Sequence, residues 1–475
     1  MQSDSRKIGD KVIRNTAYNI FGRIWFLVIG FFLAPYVVGH LGVERYAVWA
    51  LVGVVTNYFG LLDFGVGSSF VKYVSEFYTT RDQAGINKLV NTGFGFYAAL
   101  GAVILAATVL FIGPLLSFLK IPVSLYGEAR FVFILAVGVF CASNAMGVFM
   151  AVQTGLQRMD LSNKINIAAS VVTVAGTIFF LEKGYGLRGL MVNNAVVFAL
   201  TSAMYILSAY RLLPHLAFRP FAWDRPMFRR IFSFGFRVQI SRISGTITSQ
   251  TDKILITYFL VIGLVTYYQL GSTVVACAMS IPALLVSALV PAFSEIEARG
   301  ERKKLIESYL RSTKYFTFFT VPLFVFIAAA ARRIMFIWMG LGYEQSVMVI
   351  QILAAAYVIN MIARVSGALC MAIEKPEHMA NASIIMIVLN IGLSVFFIKT
   401  FGFPGVAWGT LVAVNAGTVY FLWKLHRNLG IPAGMYMRVT APFFAAGLVA
   451  ALFVYGIDAA VRLPAAGLGR LGQLA

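Results

Sequence analysis

Apolar runs of about 20 residues or longer, separated by short polar stretches, recur along this chain and dictate what it can become. As helix, rising about 1.5 Å per residue, such a run crosses a roughly 30 Å hydrocarbon core, where no water is present to satisfy a stray backbone group. The runs lack the alternation of a barrel strand, whose lumen face must be polar at every second position. The expected fold is therefore an all-α polytopic membrane protein. Composition agrees, since 60% apolar and 12% charged residues lie outside the range of soluble domains.

The runs place thirteen spans, near 15–38, 45–70, 90–118, 131–155, 165–182, 188–211, 231–258, 265–293, 313–337, 347–372, 380–398, 405–424 and 439–459. Arg6, Lys7, Lys11 and Arg14 precede the first run, which is too long for a signal-peptide h-region, so the N-terminus is expected in the cytoplasm. The formal net charge of +20 then follows from topology rather than from nucleic-acid binding, because Lys and Arg gather on the loops this orientation makes cytoplasmic. The strongest clusters, Arg211 to Arg230 and Glu295 to Arg311, are expected against anionic headgroups. The segment after Leu463 is too short and Gly-rich to cross again, which puts the C-terminus outside. Cys141, Cys277 and Cys370 sit inside apolar runs without a CxxC or a neighbouring His, as packing residues do.

An internal repeat sets the domain organisation. The turn KGYGLRG from Lys183 matches KTFGFPG from Lys399, pairing Gly186 with Gly402 and Gly189 with Gly405 at a step of 216 residues. The loops around Gln157 and Ile373 enter equivalent spans, and upstream YVSEF near Glu76 matches AFSEI near Glu295. Six spans copied once keep their orientation, which predicts two pseudo-symmetric six-helix lobes that rock about a central cavity. The division is a first lobe over 1–212, a basic cytoplasmic linker over 213–230, a second lobe over 231–428, and an extra span with a short tail over 429–475.

Ionised side chains inside spans are costly, and each marks a wet cavity or a partner. Arg23, Arg237, Arg242, Lys253 and Arg364 fall there, against only Asp63 and Asp252. Helical spacing groups them: Asn15, Asn19 and Arg23 on one face; Gln239, Arg242, Thr246, Ser249 and Lys253 on another; Tyr357, Asn360, Arg364 and Gly367 on a third. Arg23 and Arg242 fall within a turn of equivalence across the repeat, and paired guanidinium forks suit a diphosphate. Plainer roles stay open beside these. Asp63 bracing Arg14 or Lys72, Asp252 pairing with a cation on a neighbouring helix, and Arg237 snorkelling to headgroups each satisfy the same residues. No HExxH, GxSxG or P-loop signature is present, and all four His lie in loops or at span ends, so no catalytic, cofactor or metal site is expected.

The stretches GVERYAVWAL from Gly42, LLDFGVGSSF from Leu61, SQTDKILITYFL from Ser249, VPAFSE from Val290 and the paired GYGLRG and FGFPG turns resemble polysaccharide-transporter flippases of the Wzx type, in the multidrug/oligosaccharidyl-lipid/polysaccharide (MOP) superfamily. The resemblance covers nearly the whole chain and implies a MATE-like fold of two six-helix halves. It implies a flippase moving an undecaprenyl-diphosphate-linked oligosaccharide, such as an O-antigen or exopolysaccharide repeat unit, across the bacterial inner membrane. Cationic cavity residues belong to it, assigned here to Arg23, Arg242 and Arg364, with Asn19, Gln239, Lys253 and Asn360 beside them and Asp63 and Asp252 as coupling or structural carboxylates. The implied partners are the lipid-linked oligosaccharide, membrane lipids, a polysaccharide polymerase and a chain-length regulator, acting on a monomer. Coupling is left to a proton, to sodium or to the membrane potential. A lipid II flippase and a drug or cation exporter share the fold as alternatives, although a cavity of about +3 repels cationic cargo. A membrane polymerase or glycosyltransferase needs catalytic carboxylates or a large outer domain that the short outer loops do not provide.

Overall fold

A computed structural model describes the backbone of residues 2–220 and 222–460. The side chains of residues 2–21, 23, 24, 26, 236–238, 240–242, 244, 284, 287 and 453–460 lie outside that description, as does everything beyond residue 460, the C-terminal stretch included. Among the described residues there is no strand, and eleven helices are long and apolar enough to cross a membrane. Two of the thirteen expected spans account for the difference. The first, 15–38, falls largely on residues whose side chains lie outside the description and is parted from the second by non-helical backbone at Gly42, and that at 231–258 is a helix whose Arg, Lys and Asp residues lower its hydropathy.

The chain divides into two compact units, residues 1–269 and 270–475. In the first, helix α1 (Gln2–Phe59) bends at Gly42, whose φ of 74° a side chain would resist. A 3-10 turn over Gly60–Asp63 then reverses through Phe64 and Gly65, both left-handed, into the short α2 (Val66–Thr79). Next come α3 (Gln83–Phe118), α4 (Tyr126–Gly155), α5 (Met159–Glu182), α6 (Gly186–Leu212), α7 (Arg225–Phe259) and the start of α8 (Gly263–Ser287). The second unit continues with α9 (Leu289–Ala298), α10 (Arg302–Ala329), α11 (Ala331–Met339), α12 (Glu344–Ala372), α13 (Glu377–Phe401), α14 (Phe403–Leu429) and α15 (Ala433–Ala460). The runs expected as single helices at 265–293 and 313–337 are thus each interrupted, at Ala288 and Ala330.

The repeat is visible helix by helix. Helices α4 and α12 have 30 and 29 residues, α5 and α13 have 24 and 25, and α6 and α14 have 27 each. The matched YVSEF and AFSEI segments lie on α2 and α9, short helices that each follow a break. Both hairpins turn through a left-handed glycine, Gly186 at φ 55° and Gly402 at φ 68°. Small residues let α14 approach α13 closely: at Gly405, Gly409 and Gly417, one turn or two apart, a Cβ would strike Phe397, Ser394 or Met386. A buried amide crosses each hairpin, from Asn193 of α6 to the Thr173 carbonyl at 2.9 Å and from Asn390 of α13 to the Thr410 hydroxyl at 2.9 Å. The second unit also buries a polar cluster in which Tyr309 bridges Ser366 and His426 at 2.7 and 2.8 Å.

The basic linker is strapped onto α3. Gln83, Asn87 and Asn91 recur every turn, and their amides bind the backbone of His215, Ala217 and Arg219 at 2.7 to 3.3 Å. Phe218 packs between Phe94 and Phe149, and Leu213 and Leu216 are buried. The strap ends at Asp224, which accepts from Met227 N–H at 2.8 Å to cap α7 and lies 3.1 Å from Lys88 Nζ. From there α7 runs back along the α1–α2 corner in a register of one contact per turn. Ser69 Oγ donates to the Ile231 carbonyl at 2.7 Å, Gly65 meets Gly235 backbone to backbone, and Gln239 Nε2 donates to the Leu61 carbonyl at 2.8 Å.

Two outcomes follow from this packing. The Met227 N–H and then Lys88 hold the Asp224 carboxyl below the usual carboxylate range. A depressed folded pKa stabilises above the unfolded pKa of about 3.9 and loses that contribution as pH falls through the folded value. Asp224→Ala is expected to cost ~0.5–2 kcal/mol at neutral pH, and its unfolding midpoint should converge with wild type below about pH 4. A gap that stays constant with pH would remove the charge from the account. Gly65→Ala adds a Cβ that collides with the Gly235 carbonyl at a φ of 72°. It should lower the thermal midpoint in detergent by several degrees, roughly the effect of 1–3 kcal/mol of strain. Gly392→Ala, where a Cβ meets open space, should leave the midpoint unchanged or raise it. Equal midpoints for wild type and Gly65→Ala would show that the corner is not close-packed in solution.

Candidate functional site

The cations expected to hold an anionic cargo lie on three helices. Arg23, with Asn19, is on α1 before its bend, and Arg242 is on α7 beside Arg237; the side chains of all four lie outside the described residues. Arg364 is described. It is exposed on α12, a helix whose neighbouring Ala363 and Val365 are buried, with Tyr357 and Asn360 half-buried on the same strip. The strip closes at Gly367, where a Cβ would touch Met379. The helix packs against α9, α10 and α14, and Arg364 is one of several exposed positions along it, with Gln351, Ala355 and Met371.

The neutral and titratable companions are engaged. Asn360 Nδ2 donates to Thr418 Oγ1 on α14 at 3.0 Å. Gln239 is 3% exposed, and its amide serves the 3-10 turn at Leu61. Lys253, 7% exposed, donates to Gln250 Oε1 at 3.1 Å on its own helix. Along α7 it is therefore Ser249, exposed, and Thr246, half-buried, that remain open between two buried ends of the expected polar face.

Both intramembrane carboxylates accept tyrosine hydroxyls. Asp63 takes the Tyr97 hydroxyl of α3 and, at 3.3 Å, the Gly67 N–H of α2. Asp252, 2% exposed, takes the Tyr268 hydroxyl of α8, and next to it Tyr58 of α1 meets Thr251 at 2.8 Å. Lys72, a bracing partner considered for Asp63, has its ammonium 4.4 Å from the Phe234 ring centre. A tyrosine hydroxyl satisfies a carboxylate lone pair without neutralising its charge. Tyr97, Tyr268 and Tyr58 had no signal in the chain alone, because an aromatic in an apolar run looks like packing until the partner helix is placed. No group of three His, Cys, Asp or Glu among the described residues is arranged to hold a metal ion.

Comparison with known proteins bears on the family and the fold. The model of a family described as polysaccharide biosynthesis protein matches residues 41–348. A Shigella flexneri protein described as an O-antigen transporter is 20% identical over 423 residues, 87% of this chain and 97% of its own length. A Haloferax volcanii protein described as a low-salt glycan biosynthesis flippase is 24% identical over 273 residues, 57% of this chain, which thus spans 56% of that relative. Among solved structures, an inward-facing multidrug resistance transporter of the MATE family aligns with a TM-score of 0.71 at 18% identity, over 88% of this chain and 96% of its own. At that identity the likeness establishes the fold alone, a MATE-like architecture. These proteins are transporters and flippases rather than enzymes, as the sequence indicates for this one. With that match covering well over half of the chain, this multi-pass membrane protein belongs to the polysaccharide biosynthesis protein family.

Proposed function

We propose that this protein is a flippase for an undecaprenyl-diphosphate-linked oligosaccharide, carrying its headgroup from the cytoplasmic to the outer leaflet of a bacterial inner membrane. The observation that carries the proposal is the charge balance inside the spans, where cations, Arg23, Arg237, Arg242, Lys253 and Arg364 among them, outnumber the carboxylates. Asp63 and Asp252 are both hydrogen-bonded by tyrosines, and Arg364 is exposed on α12. A positive interior concentrates anions and repels cations. Arginine suits a diphosphate in particular, because its fork binds phosphate oxygens in pairs and stays charged at any accessible pH.

In this scheme Arg23, Arg242 and Arg364 receive the diphosphate, and the prenyl tail stays in lipid. An inside-negative potential drives an anion outward by about 2.3 kcal/mol per charge per 100 mV, so no antiported ion is strictly required. Asp63 and Asp252 are the places where a proton or sodium ion would couple if one does. The N-terminus faces the cytoplasm, and the polymerase and chain-length regulator that use the cargo act on the outer side.

Reconstituted in liposomes, the protein is expected to move diphosphate-linked sugar faster when an inside-negative potential is imposed. Arg23→Ala, Arg242→Ala and Arg364→Ala should each slow the initial rate roughly tenfold or more, the loss of one charge-assisted contact worth about 1.5–3 kcal/mol. Wild-type rates in all three variants would sink the arginine assignment.

A further inference from the structure

We infer that a charge-free groove in the first unit, between α1, α4 and α6, is a sugar-ring subsite, with Trp49 as its stacking wall; this rests on the flippase proposal and adds to it where the glycan sits. The groove holds about 320 Å³, within the ~300–1,000 Å³ of small-molecule sites. Trp49, Gly53 and Thr56 line it from successive turns of α1, Ser143 from α4, and Met191 and Asn194 from α6. None of its lining residues is charged, whereas the groove beside the linker strap carries Lys88, Arg219 and Asp224.

Three features fit a sugar rather than an acyl chain. Trp49 is half-buried, with an apolar ring face and a polar N–H on one side chain, the amphipathic combination that accepts the C–H face of a pyranose. Ser143 and Asn194 are exposed, and neither they nor the Trp49 indole form a hydrogen bond with another described residue. Uncommitted donors and acceptors at this depth are costly against hydrocarbon and are satisfied by hydroxyls. Thr56 turns its proton back to the Val52 carbonyl at 3.0 Å, which leaves its oxygen to accept. The floor is open by construction: a Cβ on Gly53 would meet nothing within 4 Å. A neutral groove also complements the arginines, since the diphosphate takes the charge and leaves the glycan to neutral groups.

Gly53→Leu puts a side chain into the groove from a position where a Cβ meets nothing within 4 Å, and Trp49→Ala removes its wall. Full-length wild type and both variants are reconstituted in liposomes, and movement of undecaprenyl-diphosphate N-acetylglucosamine is compared with that of sugar-free undecaprenyl diphosphate. Separately, binding of chitotriose, maltotriose and mannotriose to the detergent-purified chain is followed by saturation-transfer NMR. Each variant should lower the ratio of sugar-bearing to sugar-free movement roughly tenfold, as loss of one anchoring contact does, and should abolish trisaccharide binding. An unchanged ratio and unchanged binding in Gly53→Leu overturn the inference. A variant that slows both lipids equally assigns the groove to the prenyl tail and overturns it as well. If wild type moves neither lipid yet binds a trisaccharide that Gly53→Leu does not, the subsite stands and the flippase proposal falls. Should Trp49→Ala not fold, Gly53→Leu decides alone.

Discussion

A backbone amide in hydrocarbon must find its partner within protein, and this obligation shapes the corner between α1 and α2. Within α1 it is a glycine, Gly42, that takes the non-helical geometry. At the 3-10 turn before α2 the released groups are met from across the corner, with Gln239 reaching the Leu61 carbonyl and Asp63 accepting the Gly67 N–H. Phe64 and Gly65 take left-handed conformations to turn the chain there, and the bare Gly65 lets the backbone of α7 approach to contact. The polar residues of α7, which lower its hydropathy, are thus in part the hardware that makes a break in a neighbouring helix tolerable. Polarity in this helix serves two ends, structural near the corner and available for ligand farther along at Thr246 and Ser249.

The electrostatic arrangement separates charge from shape. Exposed ion pairs such as Arg45 with Glu128 and Arg230 with Glu76 occupy loops and helix ends, where each is worth little to stability. Within the spans the carboxylates are held by hydroxyls and the cations outnumber them. Under the proposed function, this excess of positive charge attracts an anion over a distance but discriminates weakly among anions. Recognition of what that anion carries then falls to neutral groups at short range, and the proposed ones lie on helices different from those bearing Arg242 and Arg364.

Much of this architecture was legible in the chain. Run length fixed the helices, and the two Gly-rich turns located the hairpins to within a residue, because a tight reversal in lipid admits few sequences and the left-handed glycines at 186 and 402 are among them. The YVSEF and AFSEI match paired two stretches that the structure places on α2 and α9, without announcing that either is a separate helix. The interruptions at Ala288 and Ala330 carried no signal, since alanine continues a helix as readily as it borders a break. Charged candidates were legible because the cost of a charge in lipid belongs to the residue alone. Neutral partners were not: Tyr97 for Asp63, or Ser143 and Asn194 beside Trp49, acquire meaning only when helices far apart in sequence converge. The strap shows a middle case, in which Gln83, Asn87 and Asn91 display their helical spacing openly while the loop they bind is named only by the fold.

The buried amides of the two hairpins have a consequence for how such a duplicated protein diverges. At the step of 216 Asn193 aligns with Gly409, next to Thr410, and Asn390 with Val174, next to Thr173, so the donor sits on the second helix of one hairpin and on the first helix of the other. What the two halves share here is a tie between two rods, not a residue in either. Comparing the halves column by column scores these positions as mismatches, although each hairpin carries such a bond.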